Sequence, residues 1–111
     1  MSAESDFSAL TDTVLAAIGA ALDKSDADLD WTINDGVLTI DCADAGRLIV
    51  NRHAPSREIW VAARSGGFHF RALEGEWRDT RDARELGDAL SRLLLAQAGI
   101  AVDFPRLPAP L

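Results

Sequence analysis

The chain has 111 residues, a formal charge of −7 and 48% hydrophobic residues; this size fits one domain over residues 1–111 that buries roughly 65% of its unfolded surface, and the composition excludes a disordered or collagen-like chain. No apolar run approaches the roughly 18 residues of a membrane span, and the acidic start through Glu4 and Asp6 lacks the basic opening of a secretory signal. The lone Cys42 can form neither an intrachain disulfide nor a cysteine-only metal site, so the cytoplasm is the expected compartment.

Residues 4–23 have the period of an amphipathic helix, with Ser5 as candidate N-cap ahead of Phe7. At about 100° per residue, Leu10, Val14, Ile18, Ala21 and Leu22 fall within about 60° of Phe7. Asp12 and Asp23 fall on the solvent side, about 16 Å apart along one stripe. At Asp28 the period changes to two, and Asp28 to Ile33 alternates as a half-buried strand. Asn34-Asp35-Gly36 supplies a tight turn, and Val37 to Cys42 returns as the second strand of a hairpin.

After a turn at 43–46, Arg47 to Arg52 reads as the third strand, and Ala54-Pro55-Ser56 breaks it. Glu58 to Ala63, Phe68 to Arg71 and Leu73 to Arg78 read as the fourth, fifth and sixth. Connections this short make neighbouring strands antiparallel, because a parallel pair needs a crossover of about a dozen residues. The 3.6 period returns near residue 82. There Asp82-Ala83-Arg84-Glu85 has the form of a capping box, Leu86, Leu90, Leu93, Leu94 and Gln97 form one stripe, and Gly99 suits the C-terminal cap. The segment 104–111 carries three prolines and cannot be helical; it is either loose or laid on the helices through Phe104 and Leu107. The order helix, about six strands, helix implies an α+β fold. It is a two-layer α/β sandwich: an antiparallel sheet with both terminal helices packed on one face and the other face largely solvated.

The chemistry-bearing residues do not assemble into a catalytic motif. His53 and His69 lie in different segments, no serine sits in a nucleophile elbow, and no phosphate-binding glycine loop opens a helix. A non-enzymatic role is therefore expected. Charge is the stronger signal. Residues 1–46 hold ten acids against Lys24 alone, a net of −9, and residues 47–111 hold eight acids against ten arginines, a net of +2. That balance argues against nucleic-acid binding, which needs cations, and favours a basic protein partner or hard cations; plain solubility is the alternative. The period of two puts Asp26, Asp28 and Asp30 on one side of the first strand, with Asp12 and Asp23 on the neighbouring helix. Their carboxylates could hold iron, manganese, magnesium or calcium, or could simply protect a sheet edge from aggregation. On the fourth strand, Ile59 and Val61 face one way and Trp60 the other, and the pattern alone leaves open which side is core.

Several stretches together resemble the bacterial frataxin (CyaY) family over nearly the whole chain. The most specific is Asn51-Arg52-His53-Ala54-Pro55-Ser56-Arg57-Glu58-Ile59-Trp60-Val61-Ala62, similar to that family's N-[RK]-x-x-P-x-x-x-[IV]-W-[LV]-[AS] pattern. Asp28-Leu29-Asp30 with Ile33 to Ile40, Gly66-Gly67-Phe68-His69-Phe70 and Gln97-Ala98-Gly99 resemble its first hairpin, its fifth strand and the end of its last helix. The resemblance implies a frataxin-like domain and a monomeric iron-binding protein of iron–sulfur cluster assembly. Such a protein modulates a cysteine desulfurase and scaffold complex and holds iron, Fe2+ or Fe3+, weakly at exposed carboxylates. It assigns the iron and docking role to Asp12, Asp23, Asp26, Asp28 and Asp30, and partner contact to Asn51, Arg52 and Trp60, with Trp60 turned to solvent. A ferroxidase, or a metal-independent acidic binding module, is the alternative function. This chain departs from the family's pattern at Gly19, Ala20 and Lys24, where the family has more acids near the end of the first helix, which leaves more of the role to the strand acids.

Overall fold

The computed structural model describes residues 3–110. Helix α1 (Ala3–Lys24) is followed by strands β1 (Asp30–Asn34), β2 (Val37–Asp41), β3 (Arg47–His53), β4 (Glu58–Ala63), β5 (Gly66–Leu73) and β6 (Glu76–Asp79), and then by helix α2 (Leu86–Ala98). The six strands form one antiparallel sheet in sequential order, β1 to β6. Short 3-10 turns at Ala43–Ala45 and Ala54–Ser56 flank β3. The order and the pairing match the expected sandwich.

The core lies between the helices and one sheet face. Val14, Leu15, Ile18 and Leu22 of α1 and Leu86, Leu90 and Leu94 of α2 are buried against Leu38, Ile40, Leu48, Val50, Ile59, Val61, Phe70 and Trp77. Alternation within each strand selects these residues: in β4, Ile59 and Val61 are buried while Ala62 is exposed. At roughly 1.5–3 kcal/mol per fully buried large aliphatic or aromatic side chain, this layer is the dominant source of stability.

Four local expectations are corrected. Ser5 lies within α1, which already runs from Ala3, so it is not the cap. The first strand begins at Asp30, not Asp28. Asp26 has a left-handed φ of 58°, the Ala27 N–H donates to Ser25 Oγ at 3.2 Å, and the Leu29 N–H donates to the Ala27 carbonyl at 3.0 Å. These local bonds hold the chain in a turn until residue 29. Leu73 closes β5 and does not open β6, because Glu74 and Gly75, both at positive φ, form the intervening turn. The second helix starts at Leu86, and Glu85 is its N-cap, its carboxylate accepting from the Asp88 N–H at 3.1 Å; Asp82 instead accepts from the Arg84 N–H at 3.0 Å in a preceding turn.

The proline-rich tail is laid down, not loose. Leu107 is fully buried, its N–H donates to Glu85 Oε2 at 3.3 Å, and the buried Trp77 donates its indole N–H to the Pro108 carbonyl at 2.6 Å. With its helical bonds barred by proline, the tail finds partners in side chains of β6 and the α2 cap.

Candidate functional site

Two surfaces carry the candidate residues. The first is the corner where the end of α1 meets the edge strand β1. Gly19 makes it possible: a Cβ there would stand 2.6 Å from Trp31 Cη2, so only glycine lets the indole lie this close on the helix. Trp31 then donates its N–H to Asp23 Oδ1 at 2.9 Å, tying the helix acid to the strand. Asp23, Asp26 and Asp30 line one open recess of about 380 Å³ floored by Leu22, Leu29 and Trp31, and Asp28 is exposed beside it. Among the described residues, no lysine or arginine lies within ion-pair distance of Asp23, Asp26, Asp28 or Asp30.

The corner differs from the sequence expectation in two ways. Asp26 and Asp28 precede β1, so the period of two does not align them with Asp30; the turn gathers Asp26 instead. Asp30 follows the sheet, opposite Asp41 in β2. Asp12 does not join the group. It lies three helical turns away and is neutralised by Arg52, whose Nη1 stands 2.7 Å from Asp12 Oδ1. Among the described residues, no group of three or more Asp, Glu, His or Cys side chains is arranged to hold a metal ion. Chemically the corner therefore fits an outer field of negative charge with at most one or two carboxylates on a hard cation, and does not fit a closed chelate.

The second surface is the sheet face away from the helices. The register places Asn51, Trp60 and His69 in one row across β3, β4 and β5. Since Ile59 and Val61 are buried, the register left open by pattern is decided: Trp60 faces away from the core. It is not a bare indole. The His53 ring stacks on one side at 3.8 Å and 11°, and the His69 ring on the other at 4.4 Å and 8°. Both π-faces are covered, so the surface presents the indole edge and the imidazole rims.

Beneath this stack lies Glu58, only 5% exposed. Its Oε1 accepts from Trp60 Nε1 at 2.8 Å and from Ser56 Oγ at 3.1 Å, and its Oε2 accepts from Arg71 Nη2 at 2.9 Å. Ser56 Oγ is also 2.7 Å from His53 Nδ1. The Trp60 hydrogen bond, with those of Arg71 and Ser56, holds the Glu58 carboxyl below its usual range although burial acts the other way. From sequence, His53 and His69 figure only as separate candidates for catalysis, and Glu58 has no role. The available signal was the two-residue spacing between Glu58 and Trp60, which puts both on one side of a strand.

Arg52 is not on this surface. It is paired with Ile59 in the register and so points to the helix side, where its guanidinium meets Asp12 and the Ser8 carbonyl. Adjacent strand residues face opposite ways, so Asn51 and Arg52 could not both present to one partner surface. Cys42 is buried, and that burial, with Asp41 beside it, pushes its thiol up, which makes it a poor nucleophile. No helix among the described residues is long and apolar enough to cross a membrane.

A six-stranded antiparallel meander with its terminal helices on one face is the frataxin-like class of α/β sandwich. The comparisons with known proteins agree: the family model for the frataxin-like domain matches residues 1–100, and the chain belongs to the frataxin family. The iron–sulfur cluster assembly protein CyaY of Dechloromonas aromatica (strain RCB) is 54% identical over 100 residues, covering 89% of this chain and 95% of its own. The protein of the same name from Neisseria meningitidis serogroup B is 39% identical over 107 residues, 96% of this chain and 100% of its own. Among solved structures, frataxin from Psychromonas ingrahamii superposes with a TM-score of 0.85 at 31% identity, over 93% of this chain and 98% of its own. Trimeric frataxin from the yeast Saccharomyces cerevisiae, complexed with ferrous iron, superposes with a TM-score of 0.66 at 26% identity, over 89% of this chain and 88% of its own.

Proposed function

We propose that this protein serves iron–sulfur cluster assembly as a non-enzymatic, iron-binding modulator that docks on a cysteine desulfurase and scaffold complex. The observation that carries the reading is the corner formed by Asp23, Asp26, Asp28 and Asp30, four carboxylates without an ion-pair partner among the described residues, in a chain of the frataxin family. Unneutralised carboxylates attract a hard cation and a basic protein groove by the same field. Iron is held there weakly, through exposed oxygens, and is cargo or signal for the complex. Asn51, Trp60 and the flanking imidazoles form a second contact on the open sheet face, to which Arg52 does not contribute. The relatives' names and the ferrous complex of the yeast protein support the assignment.

Anaerobic titration with ferrous iron, followed by amide resonances, tests the metal part. Shifts and broadening are expected at residues 23–30 and not at residues 84–97; perturbation centred on α2 would overturn it. Asp26, Asp28 and Asp30 changed together to Asn should weaken desulfurase binding while the fold persists, and unchanged affinity would remove the corner as the docking site. A second reading, a purely electrostatic docking module, is favoured by the lack of a three-ligand cluster among the described residues. It requires that desulfurase binding survive complete chelation and fall steeply with salt. Sustained iron oxidation with turnover would instead make the protein a ferroxidase.

A further inference from the structure

We infer that the free edge of β1 is a strand-pairing site for an extended, lysine- or arginine-rich segment of a protein partner. This deepens the docking role proposed for the acidic corner and rests on it.

The geometry follows from the hairpin. Asp35 and Gly36, both at positive φ, form a two-residue loop closed by Asn34 and Val37. In such a loop the closing pair exchanges both backbone bonds, and alternation makes Thr32↔Thr39 and Asp30↔Asp41 the other bonded pairs. Trp31 and Ile33 therefore turn their N–H and C=O groups away from β2. Because β1 is the first strand of the sheet order, those four groups face outward, and no hydrogen bond among the described residues uses them. The segment 30–34 has no proline and no lysine, the usual blocks on an open edge. What guards it is charge of one sign: Asp26, Asp28 and Asp30 lie at one end and Asp35, 95% exposed, at the other. Lys24 is the only base in the first 46 residues, and Arg52 is already shared between Asp12 and Asp35.

A guard of one sign is selective. A second copy of this chain, itself at −7, brings acids against acids. A basic strand brings opposite charges to both ends of the same edge while its backbone satisfies the four outward groups. Main-chain bonds then supply pairing, and the carboxylates supply register and partner choice.

The probe is a blocked peptide of about ten residues, lysine alternating with valine and threonine, long enough to span an ordinary strand. Its control has the same charge but proline at alternate positions, so it cannot pair. With the pairing peptide, the amides of Trp31 and Ile33 should shift downfield and gain protection from exchange, while those of Thr32 and Asn34 change little. The control should bind about tenfold more weakly, as expected for losing one or two backbone bonds. Ile33→Pro removes an outward N–H that the β1–β2 ladder does not use, and should cause a similar loss with the chain still folded. If that variant unfolds, the comparison of the two peptides on the native chain decides. Equal binding of both peptides without protection at Trp31 and Ile33 overturns strand pairing but leaves an electrostatic corner. Binding of neither peptide, with desulfurase affinity untouched by the Asp26, Asp28 and Asp30 substitutions, overturns both readings.

Discussion

Glu58 and Trp60, two residues apart on β4, form one unit: the indole N–H reaches the nearly buried carboxylate at 2.8 Å and caps it against water. The open sheet face is therefore organised from below by a fixed anion, and the orientation of Trp60 depends on it.

Substituting Glu58 by Ala should cost about 2 kcal/mol, within the range for orphaning buried donors, and by Gln rather less, because one acceptor oxygen remains. The native carboxyl ionises below its usual range, so its stabilisation is complete above the unfolded value of about 4.3 and is lost as pH falls through the lower native value. Thermal unfolding of the native chain and the Gln variant should show a gap that is constant near neutrality and shrinks on acidification below about pH 4. A gap that widens in acid would contradict the arrangement.

Trp60 and Trp77 should behave as opposites. Trp77 is fully buried, packs edge-on against Phe7 at a centroid distance of 6.3 Å and donates to the Pro108 carbonyl. Its replacement by Ala should cost about 3–5 kcal/mol in urea unfolding. Trp60→Ala loses stacking and one hydrogen bond but opens no core cavity, and should cost less than roughly 3 kcal/mol. It should nevertheless weaken binding to the assembly complex, because it removes the centre of the open face.

The tail contributes as core. Leu107 is fully buried and the Trp77 bond to Pro108 spans β6 and the tail, so Leu107→Ala should lose about 2–5 kcal/mol. Removal of residues 104–111 should lower stability further and shift Trp77 emission to the red as its ring meets water. An unchanged urea midpoint for either variant would show the tail to be a surface decoration.

Local pattern carried most of the fold. Alternation and turn residues place β2 and β4 to within a residue of the strands formed, because a half-buried strand must repeat every second side chain. Gly99 ends α2 at a φ of 69°, as its residue type implies. The acidic bias of the first half was equally legible, since charge is a property of composition.

What pattern could not decide was which charges remain uncompensated and which side chains share a surface. Asp12 and Asp23 sit on one helical stripe, yet only the packing of β3 against α1 brings Arg52 to Asp12 and leaves Asp23 to the Trp31 indole. Asp26 and Asp28 follow the strand's spacing in sequence, but turn hydrogen bonds at Ser25 and Ala27 delay the strand to Asp30. The stack of His53, Trp60 and His69 joins three strands, and its long-range register is set by the burial of Ile59, Val61 and Phe70 on the other face. Periodicity reports which residues want to be inside; the partners of those left outside are chosen by contacts between segments far apart in the chain, and these exist only once the core has closed.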